Sequence, residues 1–147
     1  MTCSSSFRVS FNVSHPDLHA SSISASFGWP VRYARSFGEP RTTKQGEALG
    51  GFYKRTDVSF AVSNGVLSID DVLIEQFVER SFEELPIEKI DQVVASGGAC
   101  SFLIGVYSEG NVLCSLGATL LSRLAAHSVG LKLDFYGGPD NGDPHRG

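Results

Sequence analysis

Residues 7–14 read FRVSFNVS, and their alternation decides the fold. Phe7, Val9, Phe11 and Val13 fall on one side of an extended chain, and Arg8, Ser10, Asn12 and Ser14 on the other. Successive side chains of a strand point to opposite faces, so this segment is a strand with one buried and one polar face. A sheet built on such strands is covered by helices on one side. The same rhythm returns at residues 100–107, CSFLIGVY. Cys100, Phe102, Ile104 and Val106 alternate there with Ser101, Leu103, Gly105 and Tyr107, and two fairly apolar faces predict a central strand.

The elements between and beyond these strands follow from local signals. His15-Pro16-Asp17 stops the first strand. Asp17 is placed to cap a short Ser-rich helix that turns Leu18, Ile23 and Phe27 inward, with Gly28 in the left-handed position after it and Pro30 barring continuation. Tyr33, Arg35 and Phe37 predict a short strand. Residues 38–51, GEPRTTKQGEALGG, have the composition of a loop, and Phe52 to Ser63 a second strand region before the Asn64-Gly65 turn. Ser68 and Asp71 resemble a capping box opening a helix over 69–84. Its inward stripe is Ile69, Leu73, Phe77 and Val78, and its wet side is acidic. Pro86 starts another helix (Ile87, Ile90, Val93 and Val94 inward) that stops at Gly97-Gly98. Ser115 caps the next, with Leu116, Leu120, Leu121 and Leu124 inward and Gly130 at its end. Leu131, Leu133 and Phe135 mark the last strand.

The expected fold is α+β: a two-layer sandwich with a mainly antiparallel sheet of about five strands and helices on one face. The first six elements match a ferredoxin-like split βαβ core, followed by an extra αβ pair. Residues 1–136 form a single domain, and the tail 137–147, GGPDNGDPHRG, has no apolar anchor and is expected to be disordered.

At 147 residues the chain is long enough for one core without staples. Three cysteines, Cys3, Cys100 and Cys114, do not suggest a disulfide framework. The start has neither the basic nor the apolar region of a signal peptide, and no apolar run approaches a membrane span, so a cytoplasmic protein with reduced thiols is expected. A net charge of -4 argues against nucleic-acid binding. The charge is uneven: residues 1–55 carry seven Lys or Arg against three Asp or Glu, and residues 56–147 carry five against thirteen.

Residues 27–55, FGWPVRYARSFGEPRTTKQGEALGGFYKR, hold the one tryptophan, Trp29, and six of the 12 basic residues, opposed by Glu39 and Glu47. Arg forks match carboxylate and phosphate geometry, so Trp29, Arg32, Arg35, Arg41 and Lys44 are the candidate partner- or ligand-binding residues. Trp29 also suits a plug at the edge of the core.

Three blocks carry a family likeness: Ser26-Phe27-Gly28-Trp29-Pro30 through Arg35-Ser36-Phe37-Gly38, then Gly51-Phe52-Tyr53, then Ser115-Leu116 through Leu124 with Gly130-Leu131-Lys132-Leu133-Asp134-Phe135-Tyr136. In this order they resemble the bacterial domain-of-unknown-function family 4279. The resemblance implies an α+β fold and an unassigned activity, so it transfers no catalytic residue.

No catalytic constellation is assembled. Cys100 sits among core positions, and Cys114 lies thirteen residues from His127, at the far end of a helix. His15 and His19 are four apart, but Pro16 lies between them and no second ligand pair follows, so no metal or other cofactor is expected. Gly46, Gly50 and Gly51 with Lys44 do not form a phosphate-binding loop. The expectation leans away from an enzyme. It is a small bacterial protein-binding module of accessory or immunity type, monomeric or homodimeric. The alternative is binding of a small anionic ligand or nucleotide through the basic segment 32–44.

Overall fold

The computed structural model describes residues 5–137. The described elements are β1 (Ser6–His15), α1 (Ala20–Ser24), β2 (Val31–Arg35), β3 (Pro40–Thr42), β4 (Ala48–Phe52), β5 (Thr56–Ala61), β6 (Leu67–Ser68), α2 (Ile74–Glu83), α3 (Ile87–Ala95), β7 (Ala99–Ser108), α4 (Ala118–Ala126) and β8 (Val129–Gly137). The main sheet runs β2-β5-β1-β7-β8, and β6 adds to β1. All its pairs are antiparallel except β7–β8. The protein is therefore α+β with a mixed, mostly antiparallel sheet and four helices among the described residues. The parallel pair arises because residues 109–128, with α4, return the chain to the end of the sheet where β7 began; a parallel neighbour needs such a crossover.

Alternation in β1 places Phe7, Val9, Phe11 and Val13 in the core at 0–1% exposure. Cross-strand register carries the same face through Val58 and Phe60 of β5 and through Cys100, Phe102, Ile104 and Val106 of β7. Ile23 of α1, Ile74, Val78 and Phe82 of α2, Ile90 and Val93 of α3, and Leu120 and Leu124 of α4 close over it as one core. Phe11 sits at its middle, with ring centroids of Phe102, Phe27 and Trp29 at 5.0, 5.6 and 5.6 Å.

Several local expectations are corrected. Residues 38–51 are not a plain loop but contain the two-stranded hairpin β3–β4. The glycines that give this stretch its loop composition supply its bends, since Gly38, Gly46, Gly50 and Gly51 all have positive φ. α2 starts at Ile74 rather than 69, because Ser68 accepts from Asp71 and Val72 in a turn that ends before the helix. Its buried stripe is Ile74, Val78, Ser81 and Phe82, and Leu73 is exposed. Asp17 does not cap α1; His19 does, its Nδ1 accepting from the Ser21 N–H at 3.1 Å. Leu18 and Leu121, expected inside, are exposed. Gly28 is not left-handed, and α4 ends at Ala126, ahead of Gly130, with Ser128 in the left-handed position at φ 57°. The expected disordered tail begins at Gly137, the last residue of β8, and otherwise lies outside the described residues, as does Cys3. No described helix is long and apolar enough to cross a membrane.

Gly98, between α3 and β7, has no room for a side chain. A β-carbon there would lie 2.6 Å from Val93 Cγ1 and 2.7 Å from the Ser14 carbonyl oxygen. Backbone cannot yield as a side-chain tip can, so Gly98→Ala is expected to lower the unfolding free energy by about 1–3 kcal/mol in urea denaturation. Gly110→Ala, with nothing within 4 Å, is expected to change it by less than about 0.5 kcal/mol.

Candidate functional site

The helices occupy one side of the sheet, so the polar positions of its strands form the other. Arg8, Ser10, Asn12 and Ser14 of β1 lie there, flanked by Asp57 and Ser59 of β5, Ser101 of β7, and Lys132 and Asp134 of β8. Small side chains floor the middle of this face, and longer ones rise around it. A cleft of about 420 Å³ opens over Asn12, Tyr33, Arg55, Asp57, Ser101 and Lys132.

A bulge brings two neighbours in sequence onto this face. Register shifts between Val31 and Tyr33, so Val31 pairs with Phe60 and Tyr33 with Ser59. The extra residue lets Arg32 join Tyr33 on the open side, where Arg32 Nη1 donates to Ser10 Oγ at 2.6 Å. Arg35, paired with Asp57, lies over the Tyr33 ring at 5.0 Å and the Tyr53 ring at 5.8 Å. These rings hold the guanidinium by cation–π attraction while leaving its donors free.

The electrostatics of the face favour anions. Arg8, Arg32, Arg35, Arg55 and Lys132 stand against Asp57 and Asp134, a net of +3 on a chain of net -4. Both carboxylates are already engaged: Arg55 Nε donates to Asp57 at 3.2 Å, and the Tyr136 hydroxyl donates to Asp134 at 2.6 Å. That hydrogen bond, with burial and the Asp134 charge, pushes the Tyr136 hydroxyl above its ordinary range, and Arg32 opposes the shift. Arg8 Nε and Asn12 Oδ1 are buried without a hydrogen-bond partner among the described residues.

The five residues singled out from the sequence do not form one site. Arg32 and Arg35 reach the open face. Trp29 belongs to the helix side, where it packs on Phe11 and Phe102 and its Nε1 donates to Glu84 at 3.3 Å. Arg41 lies on β3, and Lys44 in the turn between β3 and β4. Arg8, Arg55, Lys132, Asn12 and Tyr33 were not singled out. The signal for Arg8 and Asn12 was present: they are the polar positions of a strand whose opposite face is core.

His15, away from this face, has structural work. His15 Nδ1 accepts from the Asp17 and Leu18 N–H groups at 3.2 and 2.9 Å, leaving Nε2 to meet Ser96 Oγ at 2.8 Å. No cluster of His, Cys, Asp and Glu able to hold a metal occurs among the described residues. Burial, and then the Glu75 carboxylate, push the Cys114 thiol up, the reverse of an activated nucleophile.

No family model, curated protein or solved structure matches the chain, so the likeness to family 4279 rests on the three sequence blocks that suggest it.

Cys100 lies on the core side, where burial pushes its thiol from 9.0 up to about 12. An acid whose folded pKa is raised stabilises the fold fully below its unfolded value and loses that contribution as pH climbs to the folded one. Urea unfolding is therefore expected to show stability falling from pH 9 towards 12, and falling less steeply in Cys100→Ala. Identical slopes in the two proteins would show that the thiol does not govern this window.

Proposed function

We propose that this protein is a non-enzymatic binding module that receives the carboxylate-rich surface of a protein partner on the open face of its sheet. One observation carries the reading: five cations against two engaged carboxylates on a face that no described helix covers, in a chain whose net charge is negative. Complementary charge steers such an encounter and fixes its register more than it adds raw affinity. Aromatic support of Arg35 and the short Arg32–Ser10 bond hold two guanidinium groups in place before binding, which reduces the ordering cost. The raised Cys114 and Cys100 thiols and the structurally engaged His15 support binding rather than nucleophilic chemistry.

The strand order β7-β1-β5-β2, joined through α1 and through α2–α3, supports the ferredoxin-like split βαβ reading of the core, with α4–β8 as the added pair. A bacterial accessory or immunity role in a reducing cytoplasm suits a module of this kind. The 420 Å³ cleft beside Lys132 favours a second reading, a small anionic ligand such as a nucleotide, since its size falls in the range of ligand sites.

Affinity capture with the full chain is expected to retain an acidic protein that is released as salt rises. Arg32→Glu with Arg35→Glu is expected to abolish capture, whereas Arg41→Glu with Lys44→Glu, on the hairpin, leaves it intact. Equal loss in both pairs would refute the open face as the binding surface. The small-ligand reading makes a different demand: a nucleotide or phosphorylated metabolite at 100 times its Kd stabilises by about 2.7 kcal/mol and raises the melting temperature. A thermal-shift panel without any rise would exclude it.

A further inference from the structure

The two edges of the main sheet are built differently. β2 is blunted by its bulge and by Arg32 and Arg35, devices that discourage pairing with another strand. β8 has no bulge, and its two charges, Lys132 and Asp134, are of opposite sign. It keeps unbroken register with β7 from Val129 to Gly137, so its outer edge offers a regular row of N–H and C=O groups. On the helix side, Leu133 and Phe135 are 42% and 60% exposed, although their β7 partners Ile104 and Val106 are buried. Leu121 of α4, the helix that packs on β8, is exposed as well.

The sequence at this edge is self-complementary. Residues 131–135 read LKLDF. Antiparallel pairing of two such strands centred on Leu133 sets Lys132 opposite the second copy's Asp134, and Asp134 opposite the second copy's Lys132. On the other side of the pleat it sets Leu133 opposite Leu133, and Leu131 opposite Phe135. Period two keeps both charge pairs on the open face and the apolar contacts on the helix side. Centring instead on Lys132 or on Asp134 would set like charges directly opposite, which destabilises an antiparallel pair.

We propose that a second copy of this chain pairs along β8, antiparallel and in the register 133 to 133. The interface is isologous about a two-fold axis, as closed dimers are. It makes the two sheets one and covers Leu133 and Phe135 of each copy. It does not require the anion-binding reading, although Lys132 and Asp134 belong to that face as well.

Sedimentation velocity of the full chain over a concentration series is expected to show a monomer–dimer equilibrium. Asp134→Lys converts both charge pairs to Lys–Lys and is expected to weaken dimerisation about tenfold or more. Adding Lys132→Asp to it restores opposite charges at both positions and is expected to restore the dimer. Leu133→Cys is expected to yield a disulfide-linked dimer on mild oxidation, because directly opposed residues lie within bridging distance. Leu131→Cys, opposite Phe135, is not. A monomer at every concentration overturns the proposal, and so does a dimer that neither cross-links through residue 133 nor recovers in the charge-swapped double variant. If Asp134→Lys fails to fold by circular dichroism, the pair of cysteine variants decides the matter.

Discussion

Phe11 is the constraint on which the rest of the structure depends. Its strand is hydrogen-bonded on both sides, so Phe11 faces Phe60 and Phe102 across the two central ladders. Phe27 and Trp29 come down onto it from the segment after α1, and Phe27 also meets Phe60 at 5.2 Å. Each aromatic pair adds about 0.5–1.5 kcal/mol beyond the area it buries. The position of the cluster matters as much as its energy. Phe27 and Trp29 lie three and one residues before Pro30, whose carbonyl accepts from the Ala61 N–H at 2.8 Å, and β2 starts one residue later. Burying these rings sets where β2 meets β5, and hence where the bulge delivers Arg32.

The order of the elements was legible where periodicity was strong. Residues 7–14 and 100–107 declared two strands and the sidedness of the first, and Pro86 with Gly97 framed α3. The failures have physical causes. Ser68 and Asp71 carry helix-start chemistry, but the backbone uses it for a turn, so the helix begins five residues beyond the expected 69 and its inward stripe changes phase. The β3–β4 hairpin was hidden because the glycines that permit its bends are also the residues that read as loop. The parallel setting of β8 has no local signal, since it depends on which end of the sheet α4 returns to.

The candidate surface was less legible than the fold. Residues 27–55 concentrate basic charge in sequence, and closeness in sequence suggested closeness in space. The chain divides that stretch among three places: Trp29 in the helix layer, Arg32 and Arg35 on the open face, and Arg41 and Lys44 on the hairpin. The residues that complete the face come from positions 8 and 132, joined only through the strand order β1-β7-β8. Such non-local assembly leaves no motif. It leaves only the alternation within each strand, which says that a polar residue faces outward but not what stands beside it.

That alternation divides labour within each strand. In β1, Phe7, Val9, Phe11 and Val13 serve stability alone, while Arg8 and Asn12 face a surface that contributes little to the core. The exposed positions of the open face can therefore vary with less effect on the fold than the core positions. Ser10, Ser59 and Ser101 are an exception: they lie at 2%, 3% and 9% exposure beneath longer side chains. Large residues there would lift Arg32 and Tyr33 away from the floor. Small residues in the floor are thus what allow guanidinium groups from a bulged edge strand to lie across the sheet rather than project into solvent. A fold of this design needs only one well-packed face, and the proposed binding surface is the other.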